Sequence, residues 1–453
     1  MNKINTAHIV AWIILILLGL ATTLVEAQSL PNQSLTLKDV IELARSHNRD
    51  LKVDSLSISR SEQQTRIAKS QFLPTIGLAG QYQHYFQKPV FFGFDAISPD
   101  KINYGRVGGE DQIGAQAFLS QPIFNPNASP ELKRSKLVEK QTQLQYRDRE
   151  VDVVSDVKQV YLRILVLEKR LRLQNESVER NKKALEDSRS LLTQGKALLV
   201  DTLRAYTSMK NLEPDVLRLT YAIEVSKQQL GVLTGLDSLT SSNINLKDSL
   251  VYSPADVIPT EVELYKASLT QRADLQILAL NRDVSQQQID VAKGAKLPSL
   301  NLVSQYQLQS QANDFKFGSA SWPPVFFVGA QVSIPLFTGF ANTSRVKQAQ
   351  IEQRQSHVIY TNAQAQLKTE VKSVLASLLE TSKRIQTQLN VENTAETSYS
   401  ITKYRYERGV ASRLELVDAE LALRTAQINY LEAVFEYQTA KIELDRTLGK
   451  VVY

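Results

Sequence analysis

The chain has 453 residues, 53 basic and 47 acidic side chains, a formal net charge of +6 and no cysteine. The lack of cysteine excludes disulfide bonds, thiolate zinc sites and thiol catalysis. The small positive excess has no Lys/Arg block, which is typical of solvated helix faces and argues against a nucleic-acid partner. The length suits two or three ordinary domains or one elongated body.

The N-terminus carries the pattern of a secretory signal peptide. Lys3 precedes an apolar run at 9–20, and a short segment then leads to Ala27. We predict that residues 1–27 are removed after export. A membrane anchor is the alternative, but the run is shorter than the roughly 20 residues that a spanning helix needs. Gln28 then follows the cleavage site, so no cysteine stands there to carry a lipid.

The first structural repeat is predicted over 28–235. After a polar lead, Thr36 is the predicted N-cap of the first helix, with an acidic residue three positions later. The Gly- and Pro-rich stretch 87–112 is expected to be a long loop, and Pro214 should bend the return helix of a hairpin. The predicted elements are a helix at about 37–72, strands at about 75–86 and 113–124, and a helical hairpin at about 129–233 with its tip at Gly195.

A polar, serine-rich connector at 236–260 is predicted to lie near the equator of the molecule, between the two halves. The second structural repeat, 261–453, follows the plan of the first. Its predicted elements are a helix at about 261–296, strands at about 299–308 and 328–336, a loop between them, and a helical hairpin at about 340–448 with its tip at Gly409.

A duplicated segment supports this division. AKSQFLPTIGLAGQYQ begins at 68 and AKGAKLPSLNLVSQYQ begins at 292, so the copies are offset by 224 residues. Apolar residues recur at helical spacing before Pro74 and Pro298 and alternate after them, and proline both ends a helix and tolerates the start of a strand. A repeat of this length indicates a duplicated domain half rather than a solenoid.

Helix lengths predict a rod. Neither Gly nor Pro occurs at 131–193 or 340–408, and a helix of roughly 65 residues is near 100 Å long. Each shorter helix has roughly 36 residues, about 54 Å, so two of them stacked end to end match one long helix. In the last helix, a three-four spacing predicts either a coiled-coil seam or an ordinary buried face. The seam residues are Leu414, Val417, Leu421, Ile428, Leu431, Phe435 and Ile442, interrupted by Arg424 and Gln438.

The predicted strands alternate in a way that suits a membrane barrel. Val328, Ala330 and Val332 face one way, whereas Gly329 and Gln331 face the other. Strands with one apolar and one polar face are typical of outer-membrane barrels, although a small soluble sheet with one buried face would show the same pattern. The smallest transmembrane barrels have about eight strands. Four strands in a membrane therefore predict an oligomer that shares one barrel.

Together these features resemble the TolC family of outer-membrane efflux proteins. The resemblance rests on the two Leu-Pro strands, on SQPIF at 120–124 and IPLF at 334–337, and on the two glycine breaks. It implies a mainly α fold with a transmembrane β-barrel portion, in which long coiled-coil-like helices form a periplasmic tunnel and each chain adds four membrane strands. It also implies a homotrimer with a shared twelve-stranded barrel in the lipid of the bacterial outer membrane.

The function implied by the resemblance is a passive exit duct. Such a duct serves a tripartite efflux or type I secretion system, and it is opened by a periplasmic adaptor (a membrane fusion protein) and an inner-membrane RND or ABC transporter. The alternative is an exported soluble coiled-coil adaptor or structural protein. We expect no enzyme activity, no cofactor and no metal site, because the four histidines have no ligand spacing and no nucleophile motif is present.

The resemblance also implies a periplasmic gate at the hairpin tips. Glu415 and Asp418 would ring the closed tunnel entrance, and Asp201 on the first repeat would be tied to Tyr406. Without the resemblance, Glu415 and Asp418 would be ordinary acids in the first turn of a helix, which the helix dipole favours.

The basic latch of the family gate has no counterpart at its usual place. That place lies two residues after the second tip glycine, where this chain has Ala411. Arg408 and Arg413 are the candidates to replace it.

Overall fold

The computed structural model describes residues 34–94, 102–196, 198–236, 244–248 and 258–450. The predicted signal peptide, 1–27, and most of the connector, 236–260, lie outside the described residues. Elements of the first half are β1 (Ser34–Leu35), α1 (Leu37–His47), α2 (Arg49–Ser70), β2 (Thr75–His84), β3 (Val90–Phe94), β4 (Ile102–Arg106), β5 (Asp111–Phe124), α3 (Ala128–Thr193), α4 (Leu199–Lys210) and α5 (Glu213–Thr234).

The second half has the same order of helices, except that its return helix is not divided. Its elements are β6 (Asn245–Leu246), α6 (Glu261–Gln271), α7 (Ala273–Gly294), β7 (Ser299–Ala312), a 3-10 turn (Phe317–Ser319), β8 (Pro324–Ser333), α8 (Ala341–Glu407) and α9 (Arg413–Thr447). Helices α3 and α8 have 66 and 67 residues, so each is about 100 Å long.

The opening helix of each half is broken, and the prediction of one continuous helix was wrong in both places. Asn48 takes ψ 130° and its Oδ1 accepts from the backbone N–H groups of Asp50 and Leu51 at 2.9 and 3.0 Å. It thereby ends α1 and caps α2. Arg272 takes ψ 124° between α6 and α7. The two breaks are offset by 224 residues, like the duplicated segments.

The return helix of the first half is also interrupted, where the sequence predicts a bend. Helix α4 ends at Lys210, and Pro214 lies in the first turn of α5. Proline suits that turn because the first N–H groups of a helix have no partner inside it. Helix α9 in the second half runs without a break for 35 residues.

Two short strands attach the connector to the core of the first half, which the sequence did not predict. β1 pairs with β6 in parallel. Tyr161 on α3 is 1% exposed, and its hydroxyl donates to Asp248 Oδ2 at 2.7 Å. The N–H of Leu37 donates to the same carboxylate at 2.9 Å. Val40, Ile41 and Ile164 pack around Tyr161 in this core.

A matching junction in the second half is held by ion pairs between side chains. Arg272 Nη1 lies 2.6 Å from Glu370 on α8, and its Nη2 lies 2.9 Å from Asp274. The α-carbon of Arg272 also approaches Gly449, where an added Cβ would lie 3.0 Å from it. In the first half, a Cβ on Gly235 would lie 2.3 Å from the carbonyl oxygen of His47. Each return helix therefore ends against the break in the opening helix of its own half.

The predicted seam of α9 is buried only in the half of the helix that lies away from the tip. Leu414 and Leu421 are 63% and 50% exposed. Leu416 and Leu423 are buried instead, because α9 carries apolar residues on two sides and packs against α8 and α3 on one of them. Of the predicted seam, Leu431 and Ile442 are buried.

The larger sheet has four antiparallel strands in the order β2-β5-β7-β8. β7 extends four residues past its predicted end, and β8 begins at 324 rather than 328 and ends at 333 rather than 336. The predicted loop 87–112 is wrong in part, because β3 and β4 form an antiparallel pair inside it. Within the described residues, β2 and β8 each lack a second strand partner.

Strand register gives this sheet two chemically different faces. Directly paired residues lie on the same face. The apolar face carries Ile76, Leu78, Tyr82, Ile113, Leu119, Leu300, Leu302, Tyr306, Leu308, Phe326, Val328 and Val332. The polar face carries Ala79, Gln81, Gln83, Gln112, Gln116, Phe118, Asn301, Val303, Gln305, Gln307, Gln309, Gln311, Val325, Phe327, Gly329 and Gln331. The alternation predicted for Val328 to Gln331 is confirmed.

Candidate gate at the hairpin tips

The two hairpin tips have the same backbone geometry. Gly195 and Gly409 take φ values of +70° and +72°, a left-handed conformation that glycine adopts without a Cβ penalty. The next N–H group reaches back to the helix in both cases, Lys196 to Leu191 O at 2.8 Å and Val410 to Arg405 O at 2.9 Å. This hydrogen bond completes a Schellman end of the long helix.

Glu415 caps the helix that follows the second tip. Its Oε1 accepts from the N–H and Oγ–H of Ser412 at 3.0 and 2.9 Å, and its own N–H donates to Ser412 Oγ at 3.2 Å. These two residues form a capping box. Its signal in the sequence is serine followed three residues later by glutamate. Asp201 is the equivalent residue of the first tip, and its Oδ2 accepts from the N–H of Leu198 at 3.3 Å.

The electrostatics of Glu415 follow from this cap. Hydrogen bonds from the backbone and side chain of Ser412, followed by the charge of Arg405, hold its pKa below the usual glutamate value. Arg405 Nη1 lies 4.0 Å from Glu415 Oε2 across the tip, a contact that the sequence does not predict. Asp418 lies one turn further along α9 and is exposed. Both carboxylates therefore lie at the tip, within reach of solvent.

Tyr406 contacts an arginine in the chain. The guanidinium of Arg413 lies 5.9 Å from the centroid of the Tyr406 ring, and that of Arg408 lies 5.2 Å from the Tyr404 ring. In the described residues of one chain, Tyr406 makes no hydrogen bond with Asp201. The predicted pairing of Asp201 with Tyr406 is therefore not present within the chain, whereas Arg413 is in place beside Tyr406.

Asp201 and Arg413 both line one cavity. The cavity measures about 490 Å³ and lies between α4 and α9, with Leu203, Leu414 and Val417 in its walls. Nη2 of Arg413 is buried without a hydrogen-bond partner. An unpaired buried donor costs free energy, so this guanidinium is available to an acceptor that approaches the tip.

A polar cluster below the tips joins the two hairpins. Arg180 Nε and Asn181 Nδ2 on α3 donate to Glu420 Oε1 on α9 at 3.1 and 3.2 Å. Burial and the charge of Glu420 raise the pKa of the nearby Tyr399. The sequence does not predict this cluster, because a long helix with charges on several faces does not indicate which charge meets a partner.

Two further features of the described ranges bear on function. No group of three or more His, Asp or Glu side chains there is arranged to hold a metal ion. Within those ranges, too, every helix is either too short or too polar to cross a membrane.

The chain belongs to the outer membrane efflux protein family, whose model matches residues 40–236 and 264–450. Among its relatives, Outer membrane protein TolC of Vibrio cholerae is 20% identical over 347 residues, which cover 75% of this chain and 77% of that protein. Cation efflux system protein CusC of Escherichia coli is 22% identical over 418 residues, which cover 91% of this chain and 85% of that protein.

Solved structures share the fold. The CmeC outer membrane channel of Campylobacter jejuni aligns over 91% of this chain and 85% of its own, with a TM-score of 0.74 and 19% identity. The outer membrane protein VceC of Vibrio cholerae aligns over 91% and 96%, with a TM-score of 0.72 and 18% identity. The predicted family and fold class are thereby confirmed. The chain is an outer-membrane efflux protein, which disfavours the soluble coiled-coil alternative.

Proposed function

We propose that three copies of this chain form a passive exit duct for a tripartite efflux or type I secretion system. Each copy contributes its four-stranded sheet to one shared barrel in the outer membrane, and the helices continue it as a tunnel into the periplasm. The divisions 28–235, 236–260 and 261–453 then correspond to the first repeat, the equatorial connector and the second repeat.

The observation that carries this proposal is the open sheet with one apolar face. Leu78, Phe326 and Val332 on that face are 85%, 66% and 60% exposed in the single chain. Lipid is a favourable environment for such a face, whereas open sheet edges do not occur in contact with lipid. Pairing of β8 with β2 of the next copy removes both edges. Three copies of four strands give the twelve strands that the family resemblance implies.

Aromatic side chains support the same orientation. Tyr82 and Tyr306 lie on the apolar face and are about half exposed. The Tyr82 hydroxyl donates to Asp111 Oδ1 at 2.7 Å, and Phe315 stacks edge-on against its ring at a centroid distance of 5.4 Å. Tyrosine with an apolar ring and a bonded hydroxyl suits the boundary between hydrocarbon and headgroups. The end of the sheet at Tyr82 and Phe315 would mark the extracellular boundary of the barrel.

Exposed apolar stripes on the helices support assembly of several copies. Leu217, Tyr221 and Val225 on α5 lie on one stripe and are 59%, 64% and 63% exposed. The exposed Leu414 and Leu421 of α9 are a second stripe. Neighbouring copies in a tunnel would cover both stripes, which removes apolar surface from water.

The tips would serve as the gate. Three copies would bring Glu415 and Asp418 into one acidic ring, which attracts cations and repels itself when it closes. The family's basic latch residue is replaced by Ala411 in this chain, and Arg413 would take over its role. Arg413 contacts Tyr406 and lines a cavity with Asp201. A periplasmic adaptor and an inner-membrane RND or ABC transporter would open this ring.

The mass of the detergent-extracted particle, corrected for bound detergent by light scattering, tests the proposed assembly. We expect the protein mass of three chains, together with ion conductance in a planar bilayer. A particle of one chain would contradict the shared barrel. A three-chain particle without conductance would contradict the duct while leaving the assembly intact.

A further inference from the structure

The polar face of the four-stranded sheet carries no charged side chain at its paired positions. The charged or chargeable pair of these strands, His84 and Asp111, lies on the apolar face at the end of the sheet far from the helices. The polar face is rich in glutamine, which offers both hydrogen-bond donors and an acceptor. A molecule passing along this face therefore meets amides and no fixed charge.

The glutamines form an ordered ladder. Gln305 Nε2 donates to Gln116 Oε1 at 2.9 Å and to Gln307 Oε1 at 3.0 Å, and Gln307 Nε2 donates to Gln309 Oε1 at 3.0 Å. These bonds hold the amides in line along β7 and across to β5. Each amide keeps hydrogen-bonding capacity, since an amide has two N–H donors and two oxygen lone pairs.

Two aromatic rings flank this ladder at one level of the sheet. Phe118 pairs with Gln305, and Gln305 pairs with Phe327, so the three side chains lie side by side on the polar face. The Phe118 ring lies across β2 above Gly77, because a Cβ added there would lie 2.4 Å from its Cζ. Phe118 and Phe327 are 38% and 46% exposed. Aromatic surface thus stands beside amide groups where the alternation of the strands would otherwise place polar residues.

We propose that this row is a subsite for uncharged molecules that carry a flat ring and hydroxyl groups. The ring of such a molecule stacks on Phe118 or Phe327, and its hydroxyls exchange hydrogen bonds with Gln305 and Gln307. An ion gains no counter-charge at this level, so the subsite favours neutral cargo. The inference rests on the proposed function, which makes the polar face the lumen of the barrel.

The test compares two probes that share one ring. 4-Nitrophenyl glucoside is neutral, and 4-nitrophenyl phosphate is anionic. Binding of each to the detergent-extracted protein is measured by equilibrium dialysis, and block of single-channel current is measured in planar bilayers. We expect the glucoside to bind and block at lower concentration than the phosphate.

Leucine variants test whether the glucoside binds at the row of Phe118, Gln305 and Phe327. F118L and F327L keep apolar bulk but remove a ring, and each should weaken glucoside binding about two- to tenfold. F326L is the matched control, because Phe326 is the chain neighbour of Phe327 and lies on the apolar face. It should leave binding unchanged.

The outcomes separate this inference from the proposed function. Equal affinity for the two probes, or equal weakening by F326L and F327L, would overturn the subsite even in a protein that conducts. Dialysis shows whether glucoside binding depends on the rings of Phe118 and Phe327, and it does so in a protein that conducts or in one that does not. A protein without conductance would overturn the duct alone.

Discussion

At the scale of single residues, Glu415 has two separable roles. Its backbone and side-chain bonds to Ser412 stabilise the start of α9, as they would in any helix with a capping box. Its charge, together with that of Asp418, belongs to the proposed gate. The capping role needs an acceptor oxygen, which glutamine also provides, whereas the gate role needs the negative charge.

The two roles predict opposite results for two variants. E415Q combined with D418N should lower the cation selectivity of the channel towards unity with little change in thermal stability. S412A should keep the selectivity and weaken the helix start by about 1 kcal/mol. Reversal potentials in a salt gradient and thermal unfolding measure the two effects. Unchanged selectivity in the double variant would refute the gate.

Acidification gives a further check on the same carboxylates. Because the pKa of Glu415 is lowered, its charge persists as pH falls through the usual glutamate range near 4.3. In the open channel, where the carboxylates of the three copies stand apart, cation selectivity should therefore decline only below that range. A loss of selectivity well above it would mean that Glu415 does not carry the charge. E415Q provides the reference in the same titration.

The latch is the second prediction at this scale. R413Q removes the contact with Tyr406, and a cation–π contact of about 0.5–1 kcal/mol corresponds to an opening equilibrium about two- to fivefold higher for each copy. R408Q is the control, because Arg408 lies over Tyr404 instead. Open probability in bilayer recordings compares them. Equal opening by both variants would remove the latch from Arg413.

At the scale of elements, the ends of the helices show what the sequence can and cannot predict. The glycine breaks and the bend at Pro214 follow from backbone chemistry alone. The breaks at Asn48 and Arg272 do not, because neither residue forbids a helix. Asn48 is a good N-cap whose role depends on its side chain reaching two N–H groups, and Arg272 depends on Asp274 and Glu370.

Two glycines with the same φ predict different costs of substitution. Gly195 and Gly235 both take φ +70°, but an added Cβ has no neighbour within 4 Å at Gly195 and lies 2.3 Å from His47 O at Gly235. G195A should lose only the roughly 1–2 kcal/mol of a left-handed alanine. G235A should lose about 1–3 kcal/mol more through overpacking.

Thermal unfolding in detergent measures both glycine variants. The larger loss should belong to G235A, at the end of α5, and G195A should keep most of the wild-type stability. If both lost the same amount, the close packing between the end of α5 and the break after α1 would carry no energetic weight.

The site was predictable to a smaller degree than the helices. The resemblance indicates Glu415, Asp418 and Tyr406, but the position of Arg413 over Tyr406 depends on how the tip turn folds. Alternation in the strands predicts a polar and an apolar face. It does not predict that Phe118 and Phe327 share a row with Gln305, since that depends on register across three strands.

At the scale of the whole molecule, the two faces of the sheet predict where a charge is tolerated. Leu78 lies on the apolar face, and its chain neighbour Ala79 lies on the polar face opposite Gln116. L78K should cost about 2–4 kcal/mol per chain if the position is near the middle of the membrane. A79K should cost little, because its ammonium group would lie in water.

Outer-membrane fractionation and heat-modifiable migration measure this difference. We expect A79K to appear in the outer membrane as a heat-modifiable oligomer and L78K to be lost from it. Equal behaviour of the two variants would contradict the assignment of the faces, and with it the barrel.

The close contacts at Gly235 and Gly449 also have a mechanical consequence. Helix α9 has 35 residues between the hairpin tip and the contact at Gly449, which is about 52 Å. A helix that pivots about a contact about 10 Å away turns by about one degree when it is displaced by about 0.2 Å at that distance. Over the length of α9, one degree moves the tip by about 1 Å. Small changes in packing at these contacts would therefore be multiplied about fivefold at the hairpin tip.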